Sequence, residues 1–216
     1  MHTTLKKATE KQASNIVYLC DEHTGFDQLE LSGQVVQMLE SERNKGKKLL
    51  IAKQEGINFI VFPLEKKGEN YKTIEYCRVQ GNELLKILNA DKAEEVLLIS
   101  CTNNNQQLLA FAEGMALGNY QFLKYFTDAD KRKNSLQHIK IWSDTISEGD
   151  LSELQDVINH TLWARSLVNE PASFLTAEQL SEELHQKGVE LGFKVEVFNK
   201  MKIESLRMGG LLAVNR

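Results

Sequence analysis

Val96-Leu97-Leu98-Ile99-Ser100-Cys101 opens as an unbroken apolar run, without the polar alternation of a half-exposed strand. A run of this kind reads as a strand covered on both faces and marks the centre of a sheet. Helical patterns flank it on both sides. Upstream, Ile74, Cys77, Leu84, Leu85 and Leu88 recur at helical spacing between Tyr71 and Leu88, with Gly81 as a weak point. Downstream, Asn103-Asn104-Asn105-Gln106-Gln107 reads as a loop and helix start, because asparagine side chains cap exposed backbone amides. Leu108, Leu109, Phe111, Ala112, Met115, Ala116, Tyr120 and Leu123 then predict one long helix from Gln106 to Phe126. Within it Gly114 and Gly118 are four apart, a spacing that lets the helix sit close on the sheet rather than hold a ligand.

Further out, Asn15-Ile16-Val17-Tyr18-Leu19-Cys20 reads as a second buried strand. Leu29, Leu31, Val35, Val36, Met38 and Leu39 suggest a helix interrupted at Ser32-Gly33. Lys48 to Lys53 and Asn58 to Phe62 form an antiparallel hairpin about Gln54-Glu55-Gly56-Ile57, and Pro63, lacking an amide hydrogen, stops its second strand. Ile139-Lys140-Ile141-Trp142 supplies another strand. Alternating strands and helices predict an α/β domain over residues 1–147, a mixed sheet flanked by helices. A helix from about Asp150 to Val168 follows, with Asp150 as N-cap and an apolar stripe of Leu151, Leu154, Val157, Ile158, Leu162 and Trp163. It makes residues 148–170 a connecting helix, ended by Pro171.

Residues 171–216 read as the incomplete start of a second α/β domain. Thr176-Ala177-Glu178-Gln179 is a capping-box pattern, with Leu180 and Leu184 one turn apart in the helix it starts. Phe193-Lys194-Val195-Glu196-Val197-Phe198 alternates as a half-exposed strand. Leu211-Leu212-Ala213-Val214, after Gly209-Gly210, reads as a buried strand with almost no partners.

Composition narrows the function classes. Of 216 residues, 42% are hydrophobic and 26% charged, an ordinary globular balance. No segment approaches the roughly 20 apolar residues that span a bilayer. Met1 to Lys7 carries lysines with no apolar stretch behind them, so neither a secretory signal nor a membrane association is expected and a cytoplasmic location follows. The net charge of −4 opposes nucleic-acid binding, and the short basic pieces Arg43 to Lys48 and Lys131-Arg132-Lys133 read as solvated loops. Cys20, Cys77 and Cys101 are odd in number and widely spaced, which argues against a disulfide framework and for small buried side chains in a reducing compartment.

Chemistry-bearing patterns are sparse. His2, His23, His138, His160 and His185 fall in no metal-ligand spacing, and Asp21-Glu22-His23 reads as a solvated strand end. There is no Gly-x-Ser-x-Gly elbow, no cysteine beside a histidine and no glycine cluster suited to a phosphate. Catalytic, metal and cofactor-binding residues are therefore all read as none.

Two stretches carry more. One is Glu113-Gly114-Met115-Ala116-Leu117-Gly118-Asn119-Tyr120-Gln121-Phe122, with Tyr125 after it. The other runs from Ala164-Arg165-Ser166-Leu167-Val168-Asn169-Glu170-Pro171 to Met208-Gly209-Gly210-Leu211-Leu212-Ala213-Val214. In order and spacing they resemble the leucyl aminopeptidase (cytosol aminopeptidase) family, with Ser166 standing where that family carries an acidic residue. The resemblance implies a two-domain subunit: an amino-terminal macrodomain-like domain, a connecting helix and a carboxy-terminal peptidase domain. It further implies peptide substrates, assembly as hexamers through the peptidase domain, and two divalent metals, zinc or manganese. Such a metal pair binds the free amine, polarises the carbonyl and activates water. The family's ligands are a lysine followed by aspartates and a later Asp-Ala-Glu-Gly-Arg segment, and this sequence contains neither. The expectation is thus an amino-terminal, non-catalytic region truncated before the metal-binding motifs, with a scaffolding and oligomerisation role. Two rivals are an ADP-ribose module, which needs a glycine-rich diphosphate loop, and a DNA-binding accessory domain, which the net charge opposes.

Overall fold

Alternate side chains of the central strands feed two separate cores. Val17 and Leu19 join Val96 and Leu98 in one cluster, whereas Ile16, Tyr18 and Cys20 join Leu97 and Ile99 in the other. Burial on both faces is the reason these strands carry no polar alternation. The computed structural model describes residues 3–21, 24–102 and 104–214. His2, Glu22, His23 and Asn103 lie outside them, and so do the sequence readings that rest on these four.

The chain divides into two compact units, Met1–Arg165 and Ser166–Arg216. In the first, strands β1 (Thr4–Lys7), β2 (Asn15–Cys20), β3 (Leu50–Gln54), β4 (Ile57–Pro63), β5 (Glu95–Ser100) and β6 (His138–Trp142) pair in the order β1-β6-β5-β2-β4-β3. All neighbours are parallel except β3 with β4. That hairpin turns on Glu55 and Gly56, both at positive φ (51° and 82°), the geometry a two-residue loop needs to follow the twist of its strands. Helix α1 (Gly33–Asn44) packs through Val35 and Leu39 on one core. Helices α2 (Asn70–Ala90) and α3 (Asn105–Gly118), together with Leu151, Ile158 and Leu162 of a later helix, close the other. The short helix α4 (Ala129–Arg132) follows α3, and that later helix is α5 (Glu148–Asn169).

Helices α2 and α3 cross at glycines. A Cβ on Gly81 would stand 2.1 Å from the Phe111 carbonyl oxygen, and one on Gly114 would stand 2.0 Å from the Arg78 carbonyl oxygen. The glycine spacing in α3 therefore serves contact with a neighbouring helix rather than with the sheet. Gly81 is a contact point in α2 rather than a weakness.

Several expectations need correction. Helix α3 stops at Gly118, not Phe126, because the Asn119 side chain is tied elsewhere. Its Nδ2 donates to Thr3 Oγ1 and to the Leu136 carbonyl, both at 2.8 Å, and its Oδ1 accepts from Asn89 at 3.0 Å. Ser32-Gly33 begins α1 instead of interrupting it, the Ser32 hydroxyl accepting from the Val35 amide. Ser147 rather than Asp150 caps α5: its hydroxyl accepts from the Asp150 amide, and the Asp150 carboxylate accepts from the Ser147 amide and hydroxyl. Val157 lies on the exposed side of that helix. Strand β1 has a single buried residue, Leu5, in a polar tetrapeptide and was not anticipated.

The second unit holds α6 (Ala177–Leu191), α7 (Lys200–Ser205) and α8 (Gly209–Val214). Thr176 caps α6 by accepting from the Gln179 amide, as its sequence predicts. Gly192 ends it in the left-handed conformation at φ 77°. Phe193 to Phe198 forms no regular secondary structure and no ladder, and Leu211 to Val214 is helical. Both strand readings fail for one reason: the described residues of this unit include no strand to pair with, and a helix satisfies its own amides.

Candidate functional site

Parallel strands deliver their carboxyl ends to one edge of a sheet, where open α/β folds place ligand crevices. Here β2, β5 and β6 end at a cleft of about 520 Å³ lined by Lys11, Tyr18, Glu30, Cys101, Asn105, Trp142 and their neighbours. Tyr18 and Trp142 come from strands, Cys101 directly follows β5, Asn105 begins α3, and Lys11 and Glu30 come from loops. Tyr18 points from β2 on the face opposite Val17, and Trp142 is the last residue of β6.

The electrostatics of the cleft are modest. Lys11 is paired with Glu30 and stacks over the Trp142 ring at 5.4 Å, so its charge is already engaged. Burial, reinforced by the nearby Cys101, Glu30 and Cys20, pushes the Tyr18 phenol up to about 12 from its ordinary 10.0. The buried ring thus favours its neutral form. Because the folded value is raised, its stabilising contribution is complete below pH 10 and is lost as pH rises through about 12. An ultraviolet difference titration of wild type against Tyr18→Phe is expected to place this phenolate near pH 12. A midpoint at 10 would contradict the burial.

Neither a diphosphate nor a metal pair finds its partners here. No glycine lines the cleft among the described residues, so the backbone approach that an ADP-ribose diphosphate needs is not provided. No group of three or more His, Cys, Asp or Glu side chains converges among the described residues, so the donor set of a two-metal centre is not assembled there. The histidines stand apart: His138 Nδ1 lies 2.7 Å from Thr4 Oγ1, His160 Nδ1 lies 2.7 Å from the Asp156 carbonyl oxygen, and His185 is exposed on α6. The basic pieces are locally engaged, Lys45 and Lys47 with Glu42, Arg132 with Asp128 and Lys133 with Asp130, and Arg43 lies over the Phe26 ring.

One juxtaposition was invisible in the sequence. Cys20 and Cys101 are 81 positions apart, yet their Sγ atoms lie 3.0 Å apart at the ends of neighbouring parallel strands. Cys20 and Cys77 are buried as expected, while Cys101 is half-exposed to the cleft. The signal available was that two apolar strand patterns each close on a cysteine. Only the strand order turns that into a pair.

Comparisons with known proteins converge. Residues 162–216 match the family model described as the cytosol aminopeptidase family, catalytic domain. A probable cytosol aminopeptidase of Clostridium perfringens is 29% identical over 227 residues, covering 97% of this chain and 45% of the relative. One from Chlorobaculum parvum is 53% identical over 53 residues, 24% of this chain and 10% of the relative. Among solved structures, a mutant of tomato leucine aminopeptidase superposes with a TM-score of 0.67 at 15% identity, covering 95% of this chain and 46% of that one. At that identity the superposition speaks for the fold. The chain spans about half the length of the relatives it matches from end to end.

Proposed function

We propose that the chain is a member of the leucyl (cytosol) aminopeptidase family and is the amino-terminal, non-catalytic region of a metal-dependent enzyme that removes N-terminal residues from peptides. In this reading residues 1–147 form a scaffolding domain, 148–170 a connecting helix and 171–216 the start of the peptidase domain. The observation that carries it is where the matches fall. The catalytic-domain model takes up only residues 162–216, while nearly all of the chain aligns with less than half of a relative.

Burial supports an incomplete carboxy-terminal part, with the change falling inside the connecting helix at residues 165 and 166. Residues up to 165 fill two cores, whereas Val168, Val189, Met201 and Val214 of the second unit are each at least 74% exposed. Apolar side chains in that state are ones a larger domain or a partner subunit would cover. We assign the scaffolding role to assembly of a homo-oligomer and to shaping access to active sites whose metals are held elsewhere. A cytoplasmic location accords with the relatives being described as cytosol aminopeptidases. No helix among the described residues is long and apolar enough to cross a membrane.

The family's two divalent metals, zinc or manganese, would supply water activation and carbonyl polarisation where they are bound. The described side chains do not assemble a site for them. Purified chain supplied with manganese or zinc is therefore expected to hydrolyse leucinamide no faster than buffer. Turnover that a chelator abolishes would overturn this reading.

A further inference from the structure

The backbone amide of Cys101 donates to the Leu19 carbonyl at 2.9 Å and Leu19 pairs with Ser100, so the ladder sets Cys20 and Cys101 side by side. Both belong to the same face of the sheet, with Ile16 and Tyr18 on one strand and Leu97 and Ile99 on the other. Neighbouring strands run about 4.8 Å apart, inside the roughly 4.4–6.8 Å Cα separation that a disulfide accepts. The two sulfurs are already 3.0 Å apart.

The two thiols differ in access. Cys101 lines the open cleft, whereas Cys20 is 1% exposed and sits behind it. The Cys20 thiol donates to Cys101 Sγ, which favours the thiolate on Cys101 and holds the proton on Cys20. Asp21 works against both thiolates and Arg43 eases the one on Cys20, both weaker than the sulfur–sulfur contact. Cys77 offers a contrast: it is fully buried in α2, and burial pushes its thiol up to about 11.

We propose that Cys20 and Cys101 form a peroxide-reactive dithiol, with Cys101 the sulfur that attacks peroxide in the cleft and Cys20 the one that resolves the product. The Cys101 thiolate attacks one oxygen of hydrogen peroxide: an S–O bond forms, the O–O bond breaks, and the departing hydroxide takes up the proton that Cys101 released, giving water. Cys101 is now a sulfenic acid, oxidised by two electrons. The Cys20 sulfur then attacks Cys101 Sγ, the S–S bond forms, and the S–O bond breaks as water leaves with the Cys20 proton. Two thiols and one peroxide give one disulfide and two waters. Neither step uses the metal chemistry of the family, so its test stands apart from the peptidase assay.

The reduced 216-residue chain is treated with equimolar hydrogen peroxide, its remaining thiols are alkylated, and its peptides are mapped by mass spectrometry. Free thiols are expected to fall from three to one, with a dithiothreitol-reversible link joining the Cys20 and Cys101 peptides of one chain and Cys77 still reduced. In Cys20→Ala the Cys101 sulfenic acid should persist and take up one dimedone. Three thiols remaining after peroxide, a link through Cys77, or links only between chains would overturn the proposal. The wild-type map decides it even if the variant does not fold.

Discussion

Replacing Gly114 by alanine is expected to lower the stability of the first unit by about 3 kcal/mol, the upper end for an overpacked site. In an exposed helix interior the same change stabilises by roughly 1 kcal/mol, because alanine is the better helix former. The sign reverses here because the new methyl would stand 2.0 Å from the Arg78 carbonyl oxygen and 2.6 Å from its Cα. Those are backbone atoms of α2, and they cannot swing aside as a side chain can. A Cβ on the opposing Gly81 would stand 2.1 Å from the Phe111 carbonyl oxygen, so the two helices have no slack on either side of the crossing. Gly33→Ala, whose methyl meets nothing within 4 Å at the start of α1, is the matched control and should be neutral or mildly stabilising. Thermal or urea unfolding of the two variants checks the pair. An unchanged midpoint for Gly114→Ala would mean the helices cross further apart than described.

Phe111→Ala should cost more, about 3 to 5 kcal/mol by the usual penalty for emptying a core aromatic. Phe111 is fully buried, and its ring meets Phe62 of β4 edge-on, with centroids 5.2 Å apart at 71°. It sits where α2, α3 and the sheet come together, so the cavity is lined by backbone and by other filled positions and has little room to collapse. For a unit of this size the melting temperature should fall on the order of 10 °C. A drop of only a degree or two would show that the α2–α3 layer is not the principal core of the unit.

The same packing explains which parts of the fold were legible in the sequence. Strands β2 and β5 were, because side chains covered on both faces leave a continuous apolar record. The β3–β4 hairpin was, because a positive φ at Gly56 has a local signature. The end of α3 was not: the apolar pattern runs on to Leu123, and what stops the helix is Asn119 reaching Thr3 and Leu136, a contact set by tertiary structure. Strand β1 escaped notice because an edge strand of Thr-Leu-Lys-Lys needs only one buried side chain. Phe193 to Phe198 and Leu211 to Val214 carry genuine strand patterns, but a pattern forms a strand only where another strand accepts its hydrogen bonds.

The candidate site was less legible than the fold. Tyr18, Trp142 and Cys101 are remote in sequence and converge only because parallel strands end together. Reading Cys20 and Cys101 as unrelated followed from their spacing, and strand order reverses it. The resemblance at residues 113–125 and 164–214 worked differently: its second stretch lies where the cytosol aminopeptidase family model matches, residues 162–216, and it assigned no reactive residue.

The proposal that these 216 residues are the platform of a metalloaminopeptidase, with its metal ligands elsewhere, makes a direct prediction about metal binding. Elemental analysis of the purified chain, after equilibration with manganese or zinc and removal of free ion, tests it most directly. The account predicts no stoichiometric divalent metal. Two ions per chain, retained through dialysis and released by a chelator, would contradict it.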